Sequence, residues 1–316
     1  MLAAVKTTRN VPNYYQKRVV DPKEVSKRVI IEDAHALPNI ILAIAPCRSG
    51  TTIFLRVFGA AKIEAYNQPL KTILRQLLHS DGPKDNSYTW TVPSASPLYI
   101  KETTGPYTAI ESRFNPLATL AQALTASLQA SSNSKAEQMT WDIIRDKVQL
   151  LIIGRNPLDT FYSWKQRFVI NGLSTENLLD HFITAYKMIE EIRLEAIQNG
   201  MNITHFVNEI IRNHQASFLP GLFQRLRLEQ QPVTDGWSKL PALGELGSHI
   251  TFFNAGKPYE VAGIRDKAKK SDTLTFFPGK GNALPPHETR RILDAGLVHL
   301  YQQWKAFCEI DLGLTI

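Results

Sequence analysis

Two short, predominantly apolar runs stand out along the chain, Ile40 to Ala45 and Val148 to Ile153, the second interrupted only by Gln149. Runs of that length without polar alternation predict strands covered on both faces, as in a parallel sheet. Each is followed by a helical pattern, Thr51 to Phe58 after the first and a helix starting at Pro157 after the second. Proline suits the first turn of a helix, where its missing N–H removes no bond. Weaker strand patterns lie at Ile63 to Tyr66, Leu98 to Lys101 and Ile203 to Val207. Helical periods cover Leu70 to His79, stopped by Asp81-Gly82-Pro83, then Leu117 to Gln129 and Thr175 to Gln198, ended by Gly200. Ser131 to Ser134 reads as a polar loop tip, and residues 229–282, rich in Gly, Pro and Lys, resist assignment. Pro286 to Phe307 predicts a final amphipathic helix with Ile292, Leu293, Leu297, Leu300, Tyr301 and Trp304 on one face. Strands alternate with helices, so the expected class is α/β, a central parallel β-sheet flanked by helices. Residues 1–38, polar and mixed in charge, read as an N-terminal arm or peripheral segment, and 39–316 as a single domain.

Composition narrows the partners. The 316 residues carry a net charge of +7, which favours anionic ligands. The basic residues are scattered, with only short clusters such as Lys267-Ala268-Lys269-Lys270, and no zinc-finger, basic-zipper or aromatic RNA platform accompanies them. Nucleic acid is therefore not an expected partner. Two cysteines, Cys47 and Cys308, make neither a disulfide framework nor a metal cluster and fit a reducing compartment. No apolar stretch reaches the ~18 residues of a membrane span. A cytoplasmic protein without a membrane span is expected, of unknown oligomeric state.

The chemistry concentrates where the two apolar runs end. Ala45-Pro46-Cys47-Arg48-Ser49-Gly50-Thr51-Thr52 resembles a phosphate loop but departs from the ATP-binding pattern, which places lysine after its second glycine. Arg48 supplies a cation from inside the loop, and Gly50 lets backbone approach a ligand. The amides of the helix start, with Ser49, Thr51 and Thr52, can hold a phosphate. The second segment, Gly154-Arg155-Asn156-Pro157-Leu158-Asp159, continues to Ser163. Eight residues on a helix bring Ser163 near the face of the first turn, so Arg155 and Ser163 could reach one phosphate. The plainer alternatives are an Arg155–Asp159 pair at i,i+4 and a Ser163 hydroxyl bonded back to the main chain. Arginine also stands where P-loop kinases place a metal-binding aspartate, so no metal is expected.

Together the two segments resemble the PAPS-dependent sulfotransferases. In that family the first loop reads roughly Pro-Lys/Arg-Ser-Gly-Thr-Thr and binds the 5′-phosphosulfate end of the donor. The second reads Arg-Asn-Pro-x-Asp with a serine eight residues after the arginine, and binds the 3′-phosphate. Arg48 to Thr52 match the first, and Arg155, Asn156, Pro157, Asp159 and Ser163 match the second. Leu300-Tyr301, Trp304 and Asp311-Leu312-Gly313-Leu314 resemble the family's last helix and ending. The resemblance implies a P-loop nucleotide-hydrolase-like sulfotransferase fold, PAPS as donor and PAP as product. It also implies a basic loop over the 3′-phosphate, for which Phe276 to Gly281 with Lys280 and Gly281 is the candidate. Arg265, Lys269 and Lys270 are alternative cations.

For catalysis the resemblance assigns Arg48 to the leaving group and Lys101, in Tyr99-Ile100-Lys101-Glu102-Thr103, to the sulfuryl group. The base is where the chain departs from the pattern. Thr103 stands in place of a histidine, and Gln68-Pro69 in place of a Glu-Pro pair. Glu102 is the nearest carboxylate and Glu64 the second choice. Ile53 replaces the family's adenine-stacking tryptophan, leaving Trp164 or a C-terminal aromatic for that task. The resulting expectation is metal-independent, in-line transfer to a hydroxyl or amine of an unidentified small-molecule, glycan or lipid acceptor. A catalytically degenerate PAP/PAPS-binding protein and an ATP-dependent small-molecule kinase are the alternatives.

Overall fold

The computed structural model describes residues 20–79, 88–130, 135–169, 174–214, 218–229, 246, 249–253 and 279–315. Eight strands form within these residues. Six make one all-parallel sheet in the order β7-β6-β2-β5-β3-β8. They are β2 (Ile40–Pro46), β3 (Glu64–Asn67), β5 (Leu98–Thr104), β6 (Val148–Gly154), β7 (Ile203–Val207) and β8 (Ile250–Phe252). A small parallel pair joins β1 (Val29–Ile30) to β4 (Trp90–Thr91). The helices are α1 (Pro22–Ser26), α2 (Thr52–Ala60), α3 (Pro69–His79), α4 (Ala109–Ser112), α5 (Pro116–Ala130), α6 (Ala136–Lys147), α7 (Pro157–Trp164), α8 (Thr175–Gln198), α9 (Ile210–Asn213), α10 (Phe218–Arg225), α11 (Pro286–Asp294) and α12 (Leu297–Leu312). The α/β class with a central parallel sheet flanked by helices is what the alternating pattern predicts.

The connectivity explains where a site can form. After β2 the chain builds β3 and β5 on one side, then crosses to build β6 and β7 on the other. This reversal beside β2 is the topological switch point at which ligands of open α/β sheets bind, outside the carboxyl ends of the strands. β2 is buried throughout and pairs with both β5 and β6, so the loops after β2 and β6 are neighbours.

Several elements differ from their sequence reading. β5 runs on to Thr104, because Lys101, Glu102, Thr103 and Thr104 are all buried between β2 and β3 despite their polarity. β3 is shifted one residue, to Glu64–Asn67. The predicted last helix is two helices, broken at Gly296, whose φ of 77° is left-handed. α6 and β8 carried no recognised signal. Residues 20–38 are not an arm. Val25, Val29, Ile31 and Leu37 are buried in the common core, and α1 packs on α3 and α5. Residues 1–19 and the loop tip at 131–134 lie outside the described residues.

Candidate functional site

The loop after β2 is a tight turn. Ser49 N–H donates to the Pro46 carbonyl at 3.2 Å, and Cys47 N–H ties the loop to β5 through the Thr104 carbonyl at 3.1 Å. Arg48 and Gly50 both adopt left-handed backbone, with φ of 73° and 78°. A β-carbon on Gly50 would also lie 2.8 Å from the Asn208 side chain, so both conformation and space require glycine. For Arg48 the left-handed conformation carries strain.

The loop after β6 is fixed by its own helix. The Asn156 side chain caps α7 by accepting from Leu158 N–H at 2.9 Å, and Pro157 fills the first position. Asn156 N–H donates to Glu209 Oε1 at 2.8 Å, and Tyr186 OH donates to the Arg155 carbonyl at 2.8 Å. Asp159 does not pair with Arg155. It accepts from Gly281 N–H at 2.7 Å, which docks the turn Gly281–Ala283 on the start of α7. A β-carbon on Gly281 would collide with Leu158 and the Asp159 backbone, so this approach also demands glycine.

The two loops meet. Arg48 Nε donates to Ser163 Oγ at 3.1 Å, across 115 residues of sequence, and Arg155 donates to the Arg48 carbonyl at 3.3 Å. Thr160 is the residue that bonds back to the main chain, at the Asn156 carbonyl, whereas Ser163 accepts from Arg48. Burial holds the pKa of Arg48 below its ordinary value. The Cys47 thiol opposes that shift, and the guanidinium groups of Arg155 and Arg167 add to it. Among the described residues neither Arg48 nor Arg155 forms a salt bridge. Among the described residues, three buried polar atoms here, Ser49 Oγ, Arg155 Nε and Glu209 Oε2, have no hydrogen-bond partner. A buried donor without a partner costs about 1–3 kcal/mol, which an anion bound between the two loops would offset.

Three further residues belong to this site without a motif to mark them, Arg167, Glu209 and Tyr186. Arg167 lies four residues beyond Ser163, a spacing that one more helical turn would have flagged. The helix widens into a π-turn over Lys165–Val169, and nothing in the sequence announces that change of phase. Glu209 comes from the turn after β7, at the N-cap of α9, and Tyr186 from α8, both distant in sequence. Burial raises the Glu209 pKa, and the Asn156 amide partly counters it.

The other side of β2 is differently built. Lys101 Nζ donates to Asn67 Oδ1 at 2.9 Å. Glu102 is wholly buried and caps α3, accepting from Leu70 N–H at 2.8 Å and Lys71 N–H at 3.3 Å. That placement corrects its expected role as base, since no part of the carboxylate is open to an acceptor. Its pKa is nevertheless pushed up to about 7 by burial. Glu64 sits at the opposite, amino end of β3 and accepts from Tyr66 OH at 2.7 Å. Trp164 is not a platform for adenine. It is fully buried, edge-on to Phe168 and Phe182, and its indole N–H donates to the Cys47 carbonyl.

Of the remaining candidates, Thr51 is buried and Thr52 half-buried at the start of α2, and Lys280 is exposed beside the docked Gly281. Phe276 to Pro278, Arg265, Lys269 and Lys270 lie outside the described residues. No group of three or more His, Cys, Asp or Glu residues that could hold a metal ion occurs among the described residues, and none of their helices is long and apolar enough to cross a membrane. No protein-family model matches the chain, and no curated protein matches it at a significant level.

Proposed function

We propose that this protein is a PAPS-dependent sulfotransferase that moves a sulfuryl group to a hydroxyl or amine acceptor. One observation carries the reading. The Arg48–Ser163 bond of 3.1 Å unites the two motifs at the carboxyl end of the sheet, with Arg155 and Arg167 close by. Several guanidinium groups with few carboxylates suit a ligand bearing more than one phosphate-type charge. Ser49 Oγ and Arg155 Nε are the unpaired polar atoms such a ligand would meet. Arg48, Ser49, Gly50, Thr51 and Thr52 would hold the 5′-phosphosulfate, and Arg155 and Ser163 the 3′-phosphate. The turn carrying Lys280 and Gly281, tied to Asp159 at the start of α7, would cover the second group.

In sulfuryl transfer the acceptor oxygen or nitrogen bonds to sulfur as the bond from sulfur to the 5′-phosphate breaks. The protein contributes position and charge. Arg48 is the cation for the leaving phosphate, and Lys101, held by Asn67, the cation on the acceptor side.

A second reading is favoured by one observation. Glu102, the expected base, is sealed under α3. A protein that binds PAP or PAPS without turnover would be arranged in this way. Titration calorimetry with PAP, AMP and ATP, then turnover of labelled PAPS, separates the readings. PAP binding at least tenfold tighter than AMP, with label transferred, is the expected result. PAP binding without transfer selects the second reading, and preferential, magnesium-dependent ATP binding selects a kinase and overturns both.

A further inference from the structure

The hydroxyl of Thr103 is the meeting point of two donors, Lys71 Nζ at 3.0 Å and Gln68 Nε2. Thr103 lies two residues past Lys101, on the same face of β5, and pairs in register with Ala45 of β2. Lys71 is wholly buried on α3, and its Nζ also donates to the Gly105 carbonyl. The charged and titratable groups around it are Arg75 from its own helix, Glu111 from α4, Cys47 from the loop after β2, and Glu102 from β5. Burial and then Arg75 lower its pKa to about 8, against the opposing pull of Glu111, Cys47 and Glu102.

A hydroxyl has one proton and two lone pairs. With Lys71 charged, Lys71 and Gln68 occupy both lone pairs of Thr103, and the threonine proton points away from them. With Lys71 neutral, its amine lone pair can take the Thr103 proton while an amine hydrogen still reaches the Gly105 carbonyl. One lone pair of Thr103 is then open to a new donor. Glu102 offers no such opening, because it has no exposure, whereas Thr103 keeps 3% near the carboxyl end of β5.

We propose, resting on the transferase reading above, that Thr103 receives the proton of a hydroxyl acceptor and passes its own to the neutral Lys71 side chain. The acceptor oxygen bonds to sulfur, and the bond from sulfur to the 5′-phosphate oxygen breaks. The acceptor proton moves to Thr103 Oγ1, the threonine proton moves to Lys71 Nζ, and the electron pair of the broken bond leaves with the phosphate. Thr103 touches the acceptor and is catalytic. Lys71 acts through it and is a positioning residue that sets when the relay is open. The nearby Glu102 and Glu111 carboxylates stabilise the ammonium that results.

The test follows PAP release from labelled PAPS between pH 6 and 9.5, with water and a panel of phenols and aliphatic alcohols as acceptors. The wild-type rate should rise with pH to a plateau, with a midpoint near 8. Lys71→Met keeps the length of the side chain and removes the nitrogen. It should lose about a hundredfold in rate and the pH limb with it, at unchanged PAP affinity. Thr103→Val should lose as much, and Thr103→Ser should keep both rate and limb. Glu102→Gln should retain the limb and move it to lower pH, since Glu102 raises the Lys71 pKa. A PAP-binding Lys71→Met within threefold of wild type, or one retaining the limb, overturns the relay and leaves the transferase reading standing. If Lys71→Met fails to fold, Thr103→Val decides by the same criteria. Wild-type protein that binds PAP but turns over no PAPS with any acceptor overturns relay and transferase together.

Discussion

The two flanks of β2 carry comparable numbers of charged groups and use them in opposite ways. On the β6 flank Arg48 and Arg155 meet, with Arg167 near enough to repel Arg48 and with Glu209 holding the Asn156 amide, and burial and mutual repulsion pull the pKa of Arg48 down. On the β5 flank Lys71, Arg75 and Lys101 meet Glu102, Glu111 and the Asn67 amide oxygen, all at least nine-tenths buried, so each charge has partners within the protein. The guanidinium-rich flank, where neither Arg48 nor Arg155 has a salt bridge among the described residues, is a place for an anion from outside. The charges of the β5 flank are met within the protein and fix α3 and α4 against β5. Excess charge in a crevice points to a ligand, whereas a closed network points first to structure.

The largest effect that can break this comparison is on stability. Arg75 donates to Glu111 at 2.9 and 3.4 Å, the Tyr107 amide donates to the same carboxylate at 3.2 Å, and Glu111 has no exposure. Burial raises the Glu111 pKa, but Arg75, then Lys71, outweigh it and hold the group below its ordinary value. Glu111→Ala should destabilise the protein by about 3–5 kcal/mol in urea unfolding, because two buried cations lose their partner. A loss under about 1 kcal/mol would mean that the β5 flank is not a closed network.

On the other flank the signs reverse. Arg155→Ala removes a cation from a crowded cluster, so stability should hold or rise. PAP affinity should fall about ten- to a hundredfold, the equivalent of one or two charge-assisted hydrogen bonds. AMP affinity should change by less than about threefold. Calorimetry measures both, and equal losses for PAP and AMP would remove Arg155 from the 3′-phosphate.

The same contrast explains what the sequence made legible. Buried parallel strands are continuous apolar runs, so β2 and β6 could be read with their ends nearly right. The β6 flank is built from two strand-to-helix turns, where residue order dictates geometry. Asn156 caps, Pro157 starts the helix, and Ser163 returns to the face of Arg48. The β5 flank is built from residues 67, 68, 71, 75, 101–105 and 111, brought together only by the sheet order. Lys71 sits in an ordinary helical pattern, where a lysine reads as solvated surface. Thr103 reads as a missing histidine rather than as the partner of Lys71. Glu102 was legible as the nearest carboxylate but not as a cap, because the donors it satisfies lie some thirty residues earlier in the chain.

The smallest expected effect is a slope. Burial raises the Glu102 pKa from 4.5 to about 7, although the Leu70 amide, then Lys71, oppose it. Between those values the folded protein holds a proton that the unfolded chain has released. Stability attributable to Glu102 therefore falls as pH rises through this window. Lys71 acts in the other direction at higher pH. Its pKa falls from 10.5 to about 8, so between about 8 and 10.5 the unfolded chain holds the extra proton and stability rises with pH. From about 7 to 8 both groups are charged and buried, and their joint contribution is at its minimum. Glu102→Gln keeps an oxygen to accept from α3 and removes the titration. Urea midpoints at pH 5 and 7 should then converge in the variant while they differ in the wild type. The upper window should extend downward, because Lys71 loses one of the carboxylates that raise its pKa. A variant whose slope between pH 5 and 7 matches the wild type would show that Glu102 stays ionised throughout. The β5 flank would then carry a fixed negative charge beside Lys71, and the contrast with the cationic flank would be one of sign alone.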